Sequence, residues 1–254
     1  MRFNLKRVLA LFVVVGISAS AWAAPWSIEY GDIPAEDSNE VTFVGLLEQS
    51  DNAMEPTDPS DGQFGEPTKL TPGEYVTSLK FFPLRFSSTS SNGEAETIDG
   101  QLQTEIIGAE NRYIDQIAFS EAGDFSLVGG ALDTNANIFA AAHVTILEGA
   151  DKDIGKTVTV VLEVEPEAPY DSPDANAFVA DGVIELTAEG LNATRVQVSW
   201  DNILQTTSEE SSTAMIEKKV LELDVTSQTI IPEPTTALML LSVGGILALR
   251  RRRK

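Results

Sequence analysis

Cysteine is absent from this 254-residue chain, and histidine occurs only once, at position 143. The missing thiolates exclude disulfide bonds and thiolate-ligated zinc or iron-sulfur sites. His143 opens the apolar run AAHVTIL, so we expect a strand residue satisfied by its neighbours and not a catalytic base. The chain also has no Gly-x-Ser-x-Gly elbow and no glycine-rich phosphate loop. These absences indicate a protein that is not an enzyme, although its many carboxylates leave a glycosidase pair open.

Basic residues are scarce in the long middle of the chain. Residues 24–231 contain nine lysines and arginines against 38 acidic residues, which gives this segment a net charge of −29. So acidic a surface repels a phosphate backbone and excludes nucleic acid as a partner. The segment is long enough for one sizeable core, and we predict a single domain there.

The first 23 residues have the three parts of a secretory signal peptide. Three basic residues lie within the first seven, an apolar run covers residues 8–17, and Ala21 and Ala23 form a small-x-small cleavage signal. We therefore predict a signal peptide over residues 1–23, with export of the chain that follows it.

The C-terminal end combines a short motif, an apolar run and a basic cluster. Pro232, Glu233 and Pro234 precede an apolar stretch over residues 237–249. As a helix this stretch would be about 20 Å long, against a bilayer hydrocarbon core of about 30 Å. The basic cluster that follows consists of Arg250, Arg251, Arg252, Arg253 and Lys254. An ordinary membrane tail is the alternative, but the short run favours a temporary anchor with its arginines on the cytoplasmic side.

This order of features resembles the PEP-CTERM sorting signal of Gram-negative bacteria, over residues 231–254 only. The resemblance implies recognition of the Pro-Glu-Pro motif by an exosortase-type processing enzyme. It also implies transient anchoring in the inner membrane through a C-terminal transmembrane helix, followed by delivery to the cell surface or the exopolysaccharide matrix. It implies nothing about the fold of residues 24–231.

Alternating apolar and polar residues predict an all-β ectodomain. TVTVVLEVE at 157–165 and RVQVSW at 195–200 each place valines on one face, the period of a half-buried strand. Further strands are predicted at 41–47, 75–79, 98–107, 113–119, 125–128, 144–147, 183–188 and 221–225. Residues 214–223 fit a short helix or a closing strand, and the alternation favours the strand. Many short strands with turn signals between them predict a single β-sandwich or jelly-roll-like fold.

Two polar, proline-containing segments are predicted to be loops. Residues 48–67 are acidic and poor in apolar side chains, which predicts a long surface loop. Residues 166–177 have a similar composition, and Tyr170 within them is the tyrosine we expect to be exposed. Trp200 alternates with valines and is expected in the core.

Oxygen-rich side chains in two loops raise the possibility of calcium. Asp133, Asn135 and Asn137 have the alternate spacing that lets three side chains approach one ion. A plain turn capped by these side chains is the alternative, and it is favoured because the sequence then departs from the helix-flanked calcium loop. A second, unspecific cluster contains Asp171, Asp174, Asn176 and Asp181.

Two functions are compatible with these observations. In the first, the protein is a non-catalytic structural or binding module that contacts exopolysaccharide or other surface proteins. In the second, it is a secreted hydrolase acting on matrix polysaccharide. Release of reducing ends from the polysaccharide would distinguish the hydrolase from the module.

Overall fold

The computed structural model describes residues 25–51, 55–56, 58, 61–129, 133–172 and 176–230. These residues form thirteen strands and no helix. The strands are β1 Trp26–Ile33, β2 Thr42–Ser50, β3 Thr68–Gly73, β4 Val76–Phe81, β5 Ser87–Ser91, β6 Ala95–Ile107, β7 Arg112–Val128, β8 Asn135–Gly149, β9 Thr157–Val161, β10 Glu163–Glu165, β11 Ala177–Glu185, β12 Ala193–Thr207 and β13 Thr213–Thr229. Within the described ranges, no helix has the length and hydropathy needed to cross a membrane. The predicted signal peptide and the predicted C-terminal helix lie outside these residues.

The strands belong to one curled antiparallel sheet with two halves. The first half has the order β1-β2-β6-β12-β8-β9, and the second has the order β10-β11-β7-β13. Beyond β7, strand β13 pairs with β5 along its first part and with β4 along its later part, and β3 completes that edge. The halves are joined where Ala193 of β12 pairs with Ile114 of β7.

Side chains from both halves meet in a common interior. Phe119 of β7 packs edge-on against Trp200 of β12, with ring centroids 5.2 Å apart. Trp200 is fully buried, as its alternation with valines predicted. The strict burial alternation of β11, where Phe178 and Ile184 face inward, shows how the period-two pattern places one face of each strand in this core.

The all-β prediction is confirmed, with corrections to individual elements. Residues 113–119 and 125–128 were predicted as two strands, but they belong to the single strand β7. The polar segment between them continues the strand because Glu121 and Gly123 keep the inward alternation. The preference for a strand over a helix at 214–223 is confirmed, since these residues lie within β13.

The predicted surface loop at 48–67 is wrong for both of its ends. Glu48 and Ser50 are buried residues of β2, and Phe64 is a fully buried core residue that packs against Phe81 and Phe86. The buried Glu48 carboxylate accepts hydrogen bonds from the Tyr30 hydroxyl and from the Gln63 backbone amide, each 2.5 Å long. The buried Phe64 ring and the hydrogen-bonded Glu48 carboxylate thus hold the acidic segment against the core.

Candidate functional site

The outward face of the first half carries a continuous row of polar side chains. The row crosses β9, β8, β12, β6 and β2, which are neighbours in that order. We call it the polar strip, and it consists of Thr159, His143, Asp201, Gln101, Gln103 and Gln49. Each member is an outward residue of an alternating strand, so the backbone pairing fixes which side chains meet.

His143 links the first three strands of the strip. Its Nδ1 lies 2.8 Å from Thr159 Oγ1, and its Nε2 lies 3.4 Å from Asp201 Oδ2. The expectation that His143 is a strand residue satisfied by its neighbours is confirmed, although it faces outward with its side chain 42% exposed. Both ring nitrogens are therefore engaged, one with a side chain of β9 and the other with a side chain of β12.

Glutamine amides continue the row across the other strands. Gln101 Nε2 donates to Asp201 Oδ1, and Gln103 Nε2 donates to Gln101 Oε1. Gln103 Nε2 also donates to Gln49 Oε1 over 3.4 Å. With neighbouring strands about 4.8 Å apart, the four intervals of the strip span about 19 Å. Donors and acceptors thus lie side by side along the outward face of these five strands.

An apolar margin borders the strip on β8, β12 and β9. Phe139 and Ile203 are directly opposite each other in the β8–β12 pairing, and their exposed fractions are 45% and 38%. Val161, which is 55% exposed, pairs with Ala141 on the adjacent strand. The margin gives a ligand one aromatic face beside the polar groups.

A cation on the same outward face, nearer the start of β12 than Asp201, is already paired. Arg195 on β12 donates from Nε to Glu105 over 2.9 Å and from Nη1 to Glu148 over 3.0 Å. Hydrogen bonds to Glu105 and then Glu148 raise the pKa of the Arg195 guanidinium. Arg195 therefore offers no isolated positive charge to an anionic ligand.

The predicted calcium residues lie at the beginning of β8. Asn135 Nδ2 donates to the Asp133 carbonyl over 3.2 Å, and Asn137 Oδ1 accepts from the Ile138 amide over 3.0 Å. Asn135 and Asn137 belong to an extended strand, in which alternate residues are about 7 Å apart. Among the residues that the structure describes, no group of three or more histidine, aspartate or glutamate side chains is placed to hold a metal ion. Calcium binding by Asp133, Asn135 and Asn137 stays a prediction.

The expectation that Tyr170 is exposed is wrong. Its side chain is 4% exposed and stacks on Phe125 with a centroid distance of 3.9 Å. Backbone hydrogen bonds in both directions with Ala136 hold the loop residue beside β8. The polar composition of the loop concealed this aromatic anchor.

Several other predicted positions lie outside the described residues. They are Asp174 of the second acidic cluster, the cleavage residues Ala21 and Ala23, and the sorting residues from Pro232 to Arg253.

The C-terminal sequence is identified by comparison with known families. Residues 231–254 match the PEP-CTERM protein-sorting motif. The chain carries a PEP-CTERM sorting signal. That signal implies an exported protein that passes through the membrane and is a substrate for exosortase-type processing.

This PEP-CTERM protein has distant likenesses among solved structures. A comparison with curated proteins finds no match. TmCBM61, solved in complex with beta-1,4-galactotriose, shares 8% identity and a TM-score of 0.21, over 77% of this chain and 86% of its own. The VP2 subviral particle of infectious bursal disease virus shares 11% identity and a TM-score of 0.28, over 82% and 60%. Tailspike protein 4 of bacteriophage CBA120 shares 12% identity and a TM-score of 0.18, over 78% and 19%. Scores this low carry no argument about function.

Proposed function

We propose that this PEP-CTERM protein is a non-catalytic module of the cell surface or extracellular matrix that binds exopolysaccharide through its polar strip. The sorting signal at residues 231–254 supports delivery to the surface. The hydrogen-bonded row from Thr159 to Gln49 supports the binding function. We further propose that the curled sheet is a jelly-roll-like β-sandwich, because its two antiparallel halves share one interior.

The chemistry of the polar strip favours a neutral polysaccharide. Its glutamine, threonine and histidine side chains offer both donors and acceptors, which match the hydroxyl groups of sugars. The net charge of −29 over residues 24–231 repels anionic polymers, and this repulsion weakens as the salt concentration rises. A neutral chain lying across the five strands meets no such barrier, and Phe139 at the margin provides an aromatic face for a sugar ring.

A secreted hydrolase remains the alternative, and one observation favours it. The His143 ring lies between the Thr159 hydroxyl and the Asp201 carboxylate, which are the group types of a nucleophile, a base and an orienting acid. Strong catalytic electrostatics, however, depend on a site that excludes water. His143 is 42% exposed on an open sheet face, so binding without turnover fits this geometry better.

The test uses the mature protein recovered from the surface of producing cells and the exopolysaccharide of the same cells. We expect the protein to be retarded in a gel containing the polysaccharide and to release no reducing ends on long incubation. Release of reducing ends would establish the hydrolase instead. Unchanged migration would contradict the binding function.

A further inference from the structure

The interior of the sheet holds a lysine, a glutamate and an asparagine in mutual contact. The side chains of Lys218 on β13 and Glu121 on β7 have no exposed surface. Lys218 Nζ pairs with Glu121 Oε2 and also donates to Asn202 Oδ1 on β12. An amine, a carboxylate and a carboxamide therefore share one buried position.

Lys218 faces the interior because it continues the inward alternation of Ala214 and Ile216 along β13, and a β-bulge follows it directly. The pairing with β7 shifts register between Lys218 and Val220, so Lys219 is the extra residue and points to solvent. Gly123 lies opposite Lys218 on β7, and a Cβ there would be 2.1 Å from the Glu217 carbonyl oxygen. The close approach of the two strands at the bulge therefore requires a residue without a side chain.

Aromatic rings enclose the three side chains. Lys218 Nζ lies 5.1 Å from the centroid of the Phe86 ring, and Trp200 is two residues from Asn202 on the inward face of β12. Both aromatic residues are buried, with exposed fractions of 1% and 0%. The site is a low-dielectric environment in which separated charges are costly.

If Lys218 and Glu121 stayed a permanent ion pair, the cluster would keep a desolvation cost and polar atoms without hydrogen bonds of ordinary geometry. Burial of a lysine and a glutamate carries a desolvation cost that their attraction only partly offsets. Asn202 Nδ2 and Glu121 Oε1 are also buried and lack a hydrogen bond of ordinary geometry, although the Asn202 and Trp200 side chains lie beside the carboxylate. A reaction that consumes the amine and the carboxamide would remove both costs.

We propose that Lys218 and Asn202 join in an intramolecular isopeptide bond, with Glu121 transferring the proton. The lone pair of neutral Lys218 Nζ attacks Asn202 Cγ, forming the Nζ–Cγ bond, and the Cγ–Nδ2 bond then breaks. Glu121 takes one proton from Nζ and gives one to Nδ2, which leaves as ammonia. One amide replaces another, so no oxidant, reductant or co-reactant is needed.

The protonation states in the folded protein support this step. Burial lowers the pKa of the Lys218 amine, while the Glu121 charge opposes that change. Burial likewise raises the pKa of the Glu121 carboxyl, against the Lys218 charge. Both directions favour a neutral amine beside a protonated acid, the pair that the attack requires.

The bond would connect the two halves of the curled sheet. Asn202 belongs to the half that contains β6 and β8, whereas Lys218 belongs to the half that contains β7. In a cysteine-free exported protein, such a bond would supply the covalent link that a disulfide gives elsewhere.

The test is peptide mapping of the folded full-length chain, denatured and then digested with a protease that cleaves after glutamate. Without the bond, residues 190–209 and residues 218–222 appear as separate peptides. With it, we expect one branched species whose mass is lower than the sum of the two by about 17 Da, the mass of the ammonia released. Separate peptides of unmodified mass from the folded protein would overturn the proposal.

Two variants give matched controls. Glu121→Gln keeps the side-chain shape but removes the proton carrier, and we expect separate peptides from it. Lys218→Met occupies the space of the apolar part of the lysine side chain but has no amine, so it should also give separate peptides. Branched peptide in Glu121→Gln would overturn the role of Glu121. Since the decisive measurement is made on the unsubstituted protein, poor folding of a variant does not remove the test.

Discussion

Tyr170 is an aromatic anchor between a polar loop and the core. Its ring stacks parallel to Phe125 at 3.9 Å and lies 6.2 Å from Phe178, and the side chain is 4% exposed. Its hydroxyl is buried without a hydrogen-bond partner. Because the ring is packed and the hydroxyl is not satisfied, Tyr170→Ala and Tyr170→Phe should have opposite consequences for stability.

The magnitudes follow from these two environments. Loss of a large buried aromatic side chain lowers the free energy of unfolding by about 3–5 kcal/mol. The Tyr170→Phe change keeps the ring and removes a group whose unsatisfied burial costs about 1–3 kcal/mol, so it should be neutral or stabilising. Burial also raises the pKa of Tyr170 to about 12. Stability from this group is therefore complete below the usual tyrosine pKa and is lost as the pH rises through about 12.

Urea unfolding followed by tryptophan fluorescence, to which buried Trp26 and Trp200 both contribute, measures both variants. We expect Tyr170→Ala to lower the midpoint without changing the slope, and the melting temperature to fall by about 2–4 °C per kcal/mol. Wild-type stability in Tyr170→Ala would show that the ring is not packed. A clear loss of stability in Tyr170→Phe would show that the hydroxyl has a partner.

Three further predictions concern the tail, calcium and pH. The surface-exposed form should lack residues 237–254, as mass spectrometry of the native surface fraction would show, and a peptide ending at Lys254 from matured protein would contradict this. Calcium at about 10 mM should stabilise the fold by about 1.4 kcal/mol if Kd is about 1 mM, and magnesium at the same concentration should stabilise it less. Asp133→Ala should abolish the difference between the two ions. Equal shifts of the melting temperature from both ions would refute the calcium site. Burial raises the pKa of Glu48 against the hydrogen bonds from Tyr30 and Gln63. Its stabilising contribution is then complete below the usual glutamate pKa and is lost as the pH rises through the raised value, by about 1.4 kcal/mol per pKa unit. Glu48→Gln should lose less stability than wild type between about pH 4 and about pH 8 in urea unfolding, and equal losses would contradict the raised pKa.

Local alternation was enough to predict the strands but not their partners. Residues 98–107 were predicted as a strand from their period, and they lie within β6. That Gln101 meets Asp201 depends on the β6–β12 register, which joins residues about a hundred positions apart in the chain. The polar strip therefore could not be predicted from the sequence of β6 or of β12 alone. Its only local signal is the alternate spacing of Gln101 and Gln103.

Composition gave wrong predictions of burial where a single buried residue lies in a polar segment. Phe64 and Tyr170 lie in polar, proline-containing segments, yet each inserts an aromatic ring into the core. Lys218 is preceded and followed by charged residues, a pattern that is typical of a solvent-exposed turn or strand edge. Lys218 nevertheless faces inward because it continues the alternation of Ala214 and Ile216, and the bulge at Lys219 changes which side chains face inward only for the residues that follow.

The polar strip can be tested against an equivalent surface on the other half of the sheet. Gln101→Ala with Gln103→Ala removes two amides of the strip, while Gln116→Ala with Gln228→Ala removes two outward amides from β7 and β13. The measurement is retardation of each mature protein in a gel of the exopolysaccharide from the producing cells. We expect the first pair to migrate as if no polysaccharide were present and the second pair to be retarded like wild type. Equal retardation of both pairs would contradict binding through the strip.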